Sequence, residues 1–154
     1  MALKKGDLVP TFKLKTKEGE WFESAAVAGK KPLVIYFYPK NFTPGCTKEA
    51  CSFRDNYEDF KEHGAEVIAI SSDSVDSHSR FAEKHNLPFI FLADEKGKVR
   101  KQFDVKSELF GLLPGRETFV FDTAGKLILR YNSMKATTHI KKALQAIKQL
   151  THEN

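Results

Sequence analysis

The segment Leu33-Val34-Ile35-Tyr36-Phe37-Tyr38-Pro39-Lys40-Asn41-Phe42-Thr43-Pro44-Gly45-Cys46-Thr47-Lys48-Glu49-Ala50-Cys51 decides how this chain is read. Residues 33–38 are a continuous apolar run rich in β-branched and aromatic side chains. That is the pattern of a buried strand. Beyond Cys46, apolar residues at Ala50, Phe53, Tyr57 and Phe60 recur at helical spacing. The expected helix runs from about Thr47 to His63 and ends at Gly64, an ordinary terminating residue. Cys46 therefore sits where a loop leaves a strand and enters a helix. Backbone N–H groups at a helix start lack intrahelical partners, and the macrodipole is positive there. Both favour a thiolate over a thiol, and helix N-termini are among the places where cysteines become reactive.

Cys46 and Cys51 are the two cysteines of the chain. In an ideal helix, residues at this spacing have Cα atoms about 8.6 Å apart and side chains roughly 140° apart around the axis. A disulfide usually needs less than about 7 Å between Cα atoms. If the two pair, the first turns of the helix must unwind. A bond that requires unfolding is a poor structural staple and suits a catalytic pair. Two inert buried cysteines are the plain alternative. The Thr43-Pro44-Gly45 turn, which delivers one cysteine to a helix start, favours the redox reading.

Length and composition fit one compact domain over 1–154, with 41% hydrophobic content and no repeat, linker or low-complexity tract. The net charge of +5 comes from lysines interleaved with acids, which reads as a solvated mixed surface and not as a nucleic-acid face. No apolar run approaches the roughly 20 residues of a membrane span. The Met1-Ala2-Leu3-Lys4-Lys5 start leads into no apolar leader. Two cysteines without a leader point to a reducing compartment, expected to be the cytoplasm.

Outward from the central segment, Phe12 to Thr16 and Trp21-Phe22 flank a turn at Lys17-Glu18-Gly19-Glu20, a small N-terminal hairpin. Strands are expected at 66–71, 89–92, 118–122 and 127–131, the last two joined by the Thr123-Ala124-Gly125-Lys126 turn. Helices are expected at 76–85 and 139–150, with one turn or two at 98–103. Ile140, Ala143, Leu144, Ile147 and Leu150 share one face of the C-terminal helix. Early β-α alternation implies parallel strands with crossover helices, and the late hairpin adds antiparallel pairing. The fold class is α/β, a mixed sheet with helices on both faces. Ligands in such sheets bind beyond the carboxyl ends of strands, where Cys46 lies. The histidines at 63, 78, 85, 139 and 152 show no metal-ligand spacing, and all are expected at the surface.

Pro39-x-x-x-Thr43-x-x-Cys46 resembles the peroxidatic signature of peroxiredoxins. Residues 41–51 are similar to the Q-type subfamily, the bacterioferritin comigratory proteins, over a likeness that extends along nearly the whole chain. The resemblance implies a thioredoxin-like fold and a thiol-dependent peroxidase for hydrogen peroxide and organic hydroperoxides. Cys46 would be the peroxidatic cysteine and become a sulfenic acid. Cys51 would be the resolving cysteine that closes a Cys46–Cys51 disulfide. Gly115-Arg116-Glu117-Thr118-Phe119-Val120-Phe121-Asp122 resembles the segment that supplies the active-site arginine. Arg116 carries a permanent charge and several donors in a fixed fork, which suits it to a thiolate and a peroxide oxygen alike. Arg130-Tyr131-Asn132 and the 136–140 run are also similar to Q-type sequences. By the same resemblance Thr43 helps to place the peroxide, Glu49 holds Arg116, and Pro39 and Pro44 stiffen and shield the loop. Without it, Thr43 and the prolines read as turn residues, Glu49 as an exposed first-turn acid and Arg116 as a surface charge. No bound cofactor and no metal is implied. Thioredoxin or a similar dithiol would recycle the enzyme, which in this subfamily is often a monomer. Two rival readings use the same cysteines: a thioredoxin-like protein disulfide oxidoreductase, normally with a CxxC spacing absent here, and a non-catalytic redox sensor.

Overall fold

Side chains alternate across a strand, so an apolar run without polar alternation needs cover on both faces. The computed structural model, which describes residues 3–105, 107–108, 113–133 and 135–152, provides that cover. The elements are β1 (Lys13–Thr16), β2 (Trp21–Glu23), a 3-10 turn at Ser24–Ala26, β3 (Leu33–Phe37), α1 (Pro44–Asp55), α2 (Tyr57–Glu62), β4 (Glu66–Ser71) and α3 (Val75–His85). There follow β5 (Ile90–Ala93), α4 (Lys98–Gln102), β6 (Ser107–Glu108), β7 (Leu113–Pro114), β8 (Glu117–Phe121), β9 (Leu127–Asn132) and α5 (Ala136–His152).

Seven strands form one mixed sheet in the order β2-β1-β5-β4-β3-β8-β9. β3, β4 and β5 are parallel, and β1, β2, β8 and β9 add antiparallel pairs at the two sides. This is the thioredoxin-like arrangement, with the N-terminal hairpin in place. Every residue of β3 is buried. Val34, Tyr36 and Tyr38 pack on one face with Ala50, Phe53, Phe60, Phe81 and Ile147 from α1, α2, α3 and α5. Leu33, Ile35 and Phe37 pack on the other with Phe12, Val99 and Phe103. The two faces are unequal: four helices cover the first, whereas among the described residues the short α4 and the N-terminal segment cover the second.

The structure corrects the expected elements in five places. Helix α5 begins at Ala136 and not at His139. Helix α1 begins at Pro44 and not near Thr47, because proline has no N–H to lose and its fixed φ suits the first helical position. The single helix expected to reach His63 is broken at Asn56, whose ψ of 7° and side-chain bond from Nδ2 to Ser52 O (2.8 Å) divert the backbone. A two-stranded ribbon, β6–β7, precedes Arg116 where no strand was expected. Finally, His78 and His139 are wholly buried. Each lies at helical spacing with the apolar stripe of its own helix, His78 with Phe81 and Ala82, His139 with Ala143 and Ile147. The side chain of His152 lies outside the described residues.

Candidate active site

Topology brings the site together before any side chain does. β8 runs antiparallel to β3 with Phe37 opposite Glu117. The start of β8 therefore lies beside the end of β3, and Arg116 arrives next to the loop that leads to Cys46. Cys46 occupies the first turn of α1 and is 2% exposed. Arg116 Nη2 lies 3.4 Å from its Sγ. Arg116 Nη1 donates to Glu49 Oε1 on the next turn of the same helix. Glu49 is fully buried and Arg116 nearly so, so neither is the exposed charge that sequence alone suggested. One guanidinium thus faces two acids, both carried by α1. Gly45 keeps the approach open: a Cβ there would meet Arg116 Nη2 at 3.1 Å.

Burial pushes the Glu49 carboxyl up to about 8, with the Arg116 charge and hydrogen bond pulling against it. Glu49 Oε2 adds to that cost, since it has no hydrogen-bond partner among the described residues. Its neighbour is His139 Nδ1 at 3.8 Å. His139 Nε2 lies 2.6 Å from Ser133 O, and a carbonyl only accepts, so Nε2 carries the proton. Nδ1 then accepts from the Thr118 hydroxyl at 2.7 Å. Burial pushes His139 down to about 4, opposed by the Ser133 carbonyl and assisted by the Arg116 charge. A neutral imidazole therefore closes the floor of the site beneath Glu49.

The remaining residues singled out from sequence fall around this centre. Thr43 is the N-cap residue of α1, half-buried and extended, and its Oγ1 donates to Lys40 O at 2.8 Å. Its hydrogen is thus committed, and the hydroxyl faces any ligand as an acceptor. Pro39 is half-buried at the loop entrance. Pro44 is exposed and serves as the first residue of α1. Cys51 is half-buried further along α1, and both cysteines are free thiols.

Two contributors were missed by sequence reasoning. Arg100 donates to Tyr38 O (2.8 Å) and Gly115 O (3.0 Å), which ties the end of β3 to the segment before Arg116. A buried polar cluster holds the 39–43 loop. Tyr38 OH donates to Asn41 Oδ1 (2.5 Å), Asn41 N donates to Asp73 Oδ2 (2.9 Å), and Asn41 Nδ2 lies 3.0 Å from His78 Nδ1. Helical spacing from Phe81 and Ala82 was the available signal for His78. Nothing local marks Arg100.

Comparison with known proteins agrees with the geometry. A sequence profile described as the AhpC/TSA family matches residues 5–130. A relative named chloroplastic peroxiredoxin Q, from Sedum lineare, is 51% identical over 147 residues, covering 95% of this chain and 78% of the relative. Peroxidoxin BcpB from Mycobacterium tuberculosis superposes with a TM-score of 0.87 at 38% identity, over 96% of this chain and 98% of that one. A Xanthomonas campestris bacterioferritin comigratory protein, solved in trapped intermediate and ligand complexes that bear on alkyl peroxide reduction, gives 0.82 at 32%, over 93% and 92%. The expected cytoplasmic placement does not stand, because the relatives from Sedum lineare, Populus jackii and Triticum aestivum are all named chloroplastic. Cysteine count reports a reducing milieu and not which compartment supplies it. The chain belongs to the AhpC/TSA family and, within it, to the peroxiredoxin Q group of thiol-dependent peroxidases.

Proposed function

We propose that the whole chain acts as one peroxiredoxin unit, with Cys46 as peroxidatic and Cys51 as resolving cysteine. The observation that carries this reading is Cys46 Sγ, buried in the first turn of α1 with Arg116 Nη2 at 3.4 Å. The Cys46 thiolate attacks one oxygen of hydrogen peroxide or an organic hydroperoxide. The O–O bond breaks, and water or alcohol leaves with a proton. Thr43 Oγ1 accepts from the peroxide O–H. The Cys46 N–H, free of intrahelical partners near the helix start, and Arg116 stabilise the negative charge that develops. Glu49 holds the guanidinium, and Pro39 and Pro44 stiffen the loop and limit water at the sulfur.

Cys46 becomes a sulfenic acid. Helix geometry holds the Cys51 Cα about 8.6 Å away, so α1 opens before Cys51 reaches it. Attack by the Cys51 thiol on Cys46 Sγ then releases water and forms the disulfide. Thioredoxin or a similar dithiol returns two electrons and two protons. The enzyme is read as a monomer, because both cysteines, Thr43, Glu49 and Arg116 come from one chain.

Stopped-flow oxidation by peroxide, followed by thioredoxin-coupled turnover, is the test. Wild type should turn over, and Cys46→Ser should fold and do neither step. Insulin reduction without peroxide consumption would support the disulfide oxidoreductase instead. A single stoichiometric oxidation without turnover would support the sensor.

A further inference from the structure

Cys51 opens into a pocket of about 480 Å³ that is separate from the Cys46–Arg116 cluster. Phe42, Pro44, Lys48, Lys84 and His85 line it with Cys51, and no lining residue is acidic. Its aromatic side is unusual. Phe42 is 43% exposed and has φ of +65°, a conformation that bulky residues rarely adopt. Strain of that kind persists only where the surroundings hold it. Here the ring packs edge-on against Phe81 with centroids 5.1 Å apart, and Lys84 Nζ lies 5.9 Å from the Phe42 ring centre. The preceding residue fixes the backbone, through Asn41 N to Asp73 Oδ2 (2.9 Å) and Asn41 Nδ2 to Ser77 Oγ (3.1 Å).

These anchors all belong to α3 or to the turn before it, and none to α1. When α1 opens for the disulfide, Phe42, Lys84 and His85 keep their places. The far end of α1 is tied to the same body, because Arg54 Nη1 donates to His85 O at 2.7 Å. Cys51 is therefore released between two fixed points, beside an exposed aromatic ring and a lysine.

We propose that the fixed side of this pocket, Phe42, Lys84 and His85, is the docking surface for the protein reductant, a dithiol protein whose cysteines lie in an apolar face with carboxylates at its rim. The inference rests on the Cys46–Cys51 disulfide of the preceding section. Phe42 would meet the apolar face, and Lys84 would meet the acidic rim. The reductant thiolate attacks Cys51 Sγ, the Cys46–Cys51 bond breaks, and Cys46 leaves as a thiolate toward Arg116. The second thiol of the reductant gives up its proton and attacks the mixed disulfide. Cys51 leaves and is protonated, and the reductant departs as its own disulfide. Docking on this side directs attack to Cys51 and spares the buried sulfur the need to be reached.

The test uses the full chain, oxidised with one equivalent of hydrogen peroxide, and three rates for wild type, Lys84→Glu and Phe42→Ala. These are oxidation by peroxide, reduction by dithiothreitol and reduction by thioredoxin. Lys84→Glu should slow reduction by thioredoxin about tenfold at low salt, with the gap closing as salt is raised. Phe42→Ala should slow it by a similar factor at every salt concentration, as loss of an aromatic anchor does. Dithiothreitol and peroxide rates should match wild type in both. Thioredoxin rates equal to wild type in both variants, or equal slowing with dithiothreitol, would overturn the proposal. Mass spectrometry of oxidised wild type, before any reductant is added, separately checks the disulfide on which it rests.

Discussion

Phe53 offers a way to measure how far α1 opens. Its side chain has no exposure and stacks on Tyr36 with centroids 4.5 Å apart, with further ring contacts to Phe60 at 5.8 Å and Phe89 at 6.2 Å. Replacing a buried Phe by Ala in such a site costs about 3–5 kcal/mol. If oxidation opens α1 from Pro44 through Phe53, the disulfide form has already lost these contacts. The whole cost then falls on the dithiol form. For a two-electron couple about 1.4 kcal/mol corresponds to roughly 30 mV. Phe53→Ala should therefore make the potential about 65–110 mV more negative. The milder Phe53→Leu should keep the fold secure and shift it by about 30 mV or less. The same energy moves the opening equilibrium of the sulfenic form by about two to four decades, so overoxidation should become rarer. Equilibration against thiol buffers, with alkylation and mass spectrometry, gives the potential. If Phe53→Ala lowers the urea midpoint of the dithiol form but leaves the potential unchanged, Phe53 stays packed in both forms and the opening stops short of it.

Arg116→Met should slow the first oxidation by about 10²–10³, the usual loss for a donor that meets transition-state charge, even at a pH where the thiol is fully ionised; a wild-type stopped-flow rate there would reduce Arg116 to a structural residue. Cys51→Ser should keep the first oxidation fast, form no intramolecular disulfide and drift to sulfinic acid under excess peroxide, read by mass spectrometry. Stability should peak at about pH 6.5, because His78 and His139, both pushed down to about 4 by burial, stay neutral when folded but protonate when unfolded, so stability is lost as pH falls from 6.5 toward 4. Glu49, pushed up to about 8 by burial, keeps its proton when folded but loses it near 4.5 when unfolded, so stability is lost as pH rises toward 8; urea midpoints across this range that peak at pH 8 or above would show an ionised native Glu49.

The strand, the loop and the cysteine-bearing helix were legible in the sequence because their signals are local. An apolar run, a Thr-Pro-Gly turn and a helical stripe all lie within about thirty residues. Arg116 and Glu49 came into view through family likeness, since nothing near either residue says that it will be buried. Their meeting depends on the antiparallel register of β8 on β3, which is a property of the assembled sheet. His139 was misplaced for a related reason. The apolar stripe places the helix start at His139, whereas α5 begins at Ala136, so His139 lies within the helix on the face of Ala143 and Ile147. The break at Asn56 turns on one side-chain bond to Ser52 O, a local competition that periodicity does not register. Arg100 carried no signal at all, because its two carbonyl partners lie 62 and 15 residues away in the chain.

In the proposed cycle, both halves depend on one helix. Cys46 and Glu49 both ride on α1 and share the single charge of Arg116. On the proposed roles, peroxide reduction needs α1 closed, so that the guanidinium reaches the sulfur, and resolution needs it open, so that Cys51 reaches Cys46. Opening removes Glu49 from Arg116 at the same moment. Glu49 is the member of this group least well served by the closed state. One of its oxygens has no hydrogen-bond partner among the described residues, and burial raises its pKa to about 8. A carboxyl that is poorly satisfied when buried regains water when α1 unwinds, which lowers the cost of opening. The residue proposed to orient the arginine for the first step would thus loosen the helix for the second. It follows that substitutions which strengthen α1 in its closed form should prolong the sulfenic acid and raise sensitivity to excess peroxide. Substitutions which weaken it should protect the enzyme but leave Cys46 less often beside Arg116.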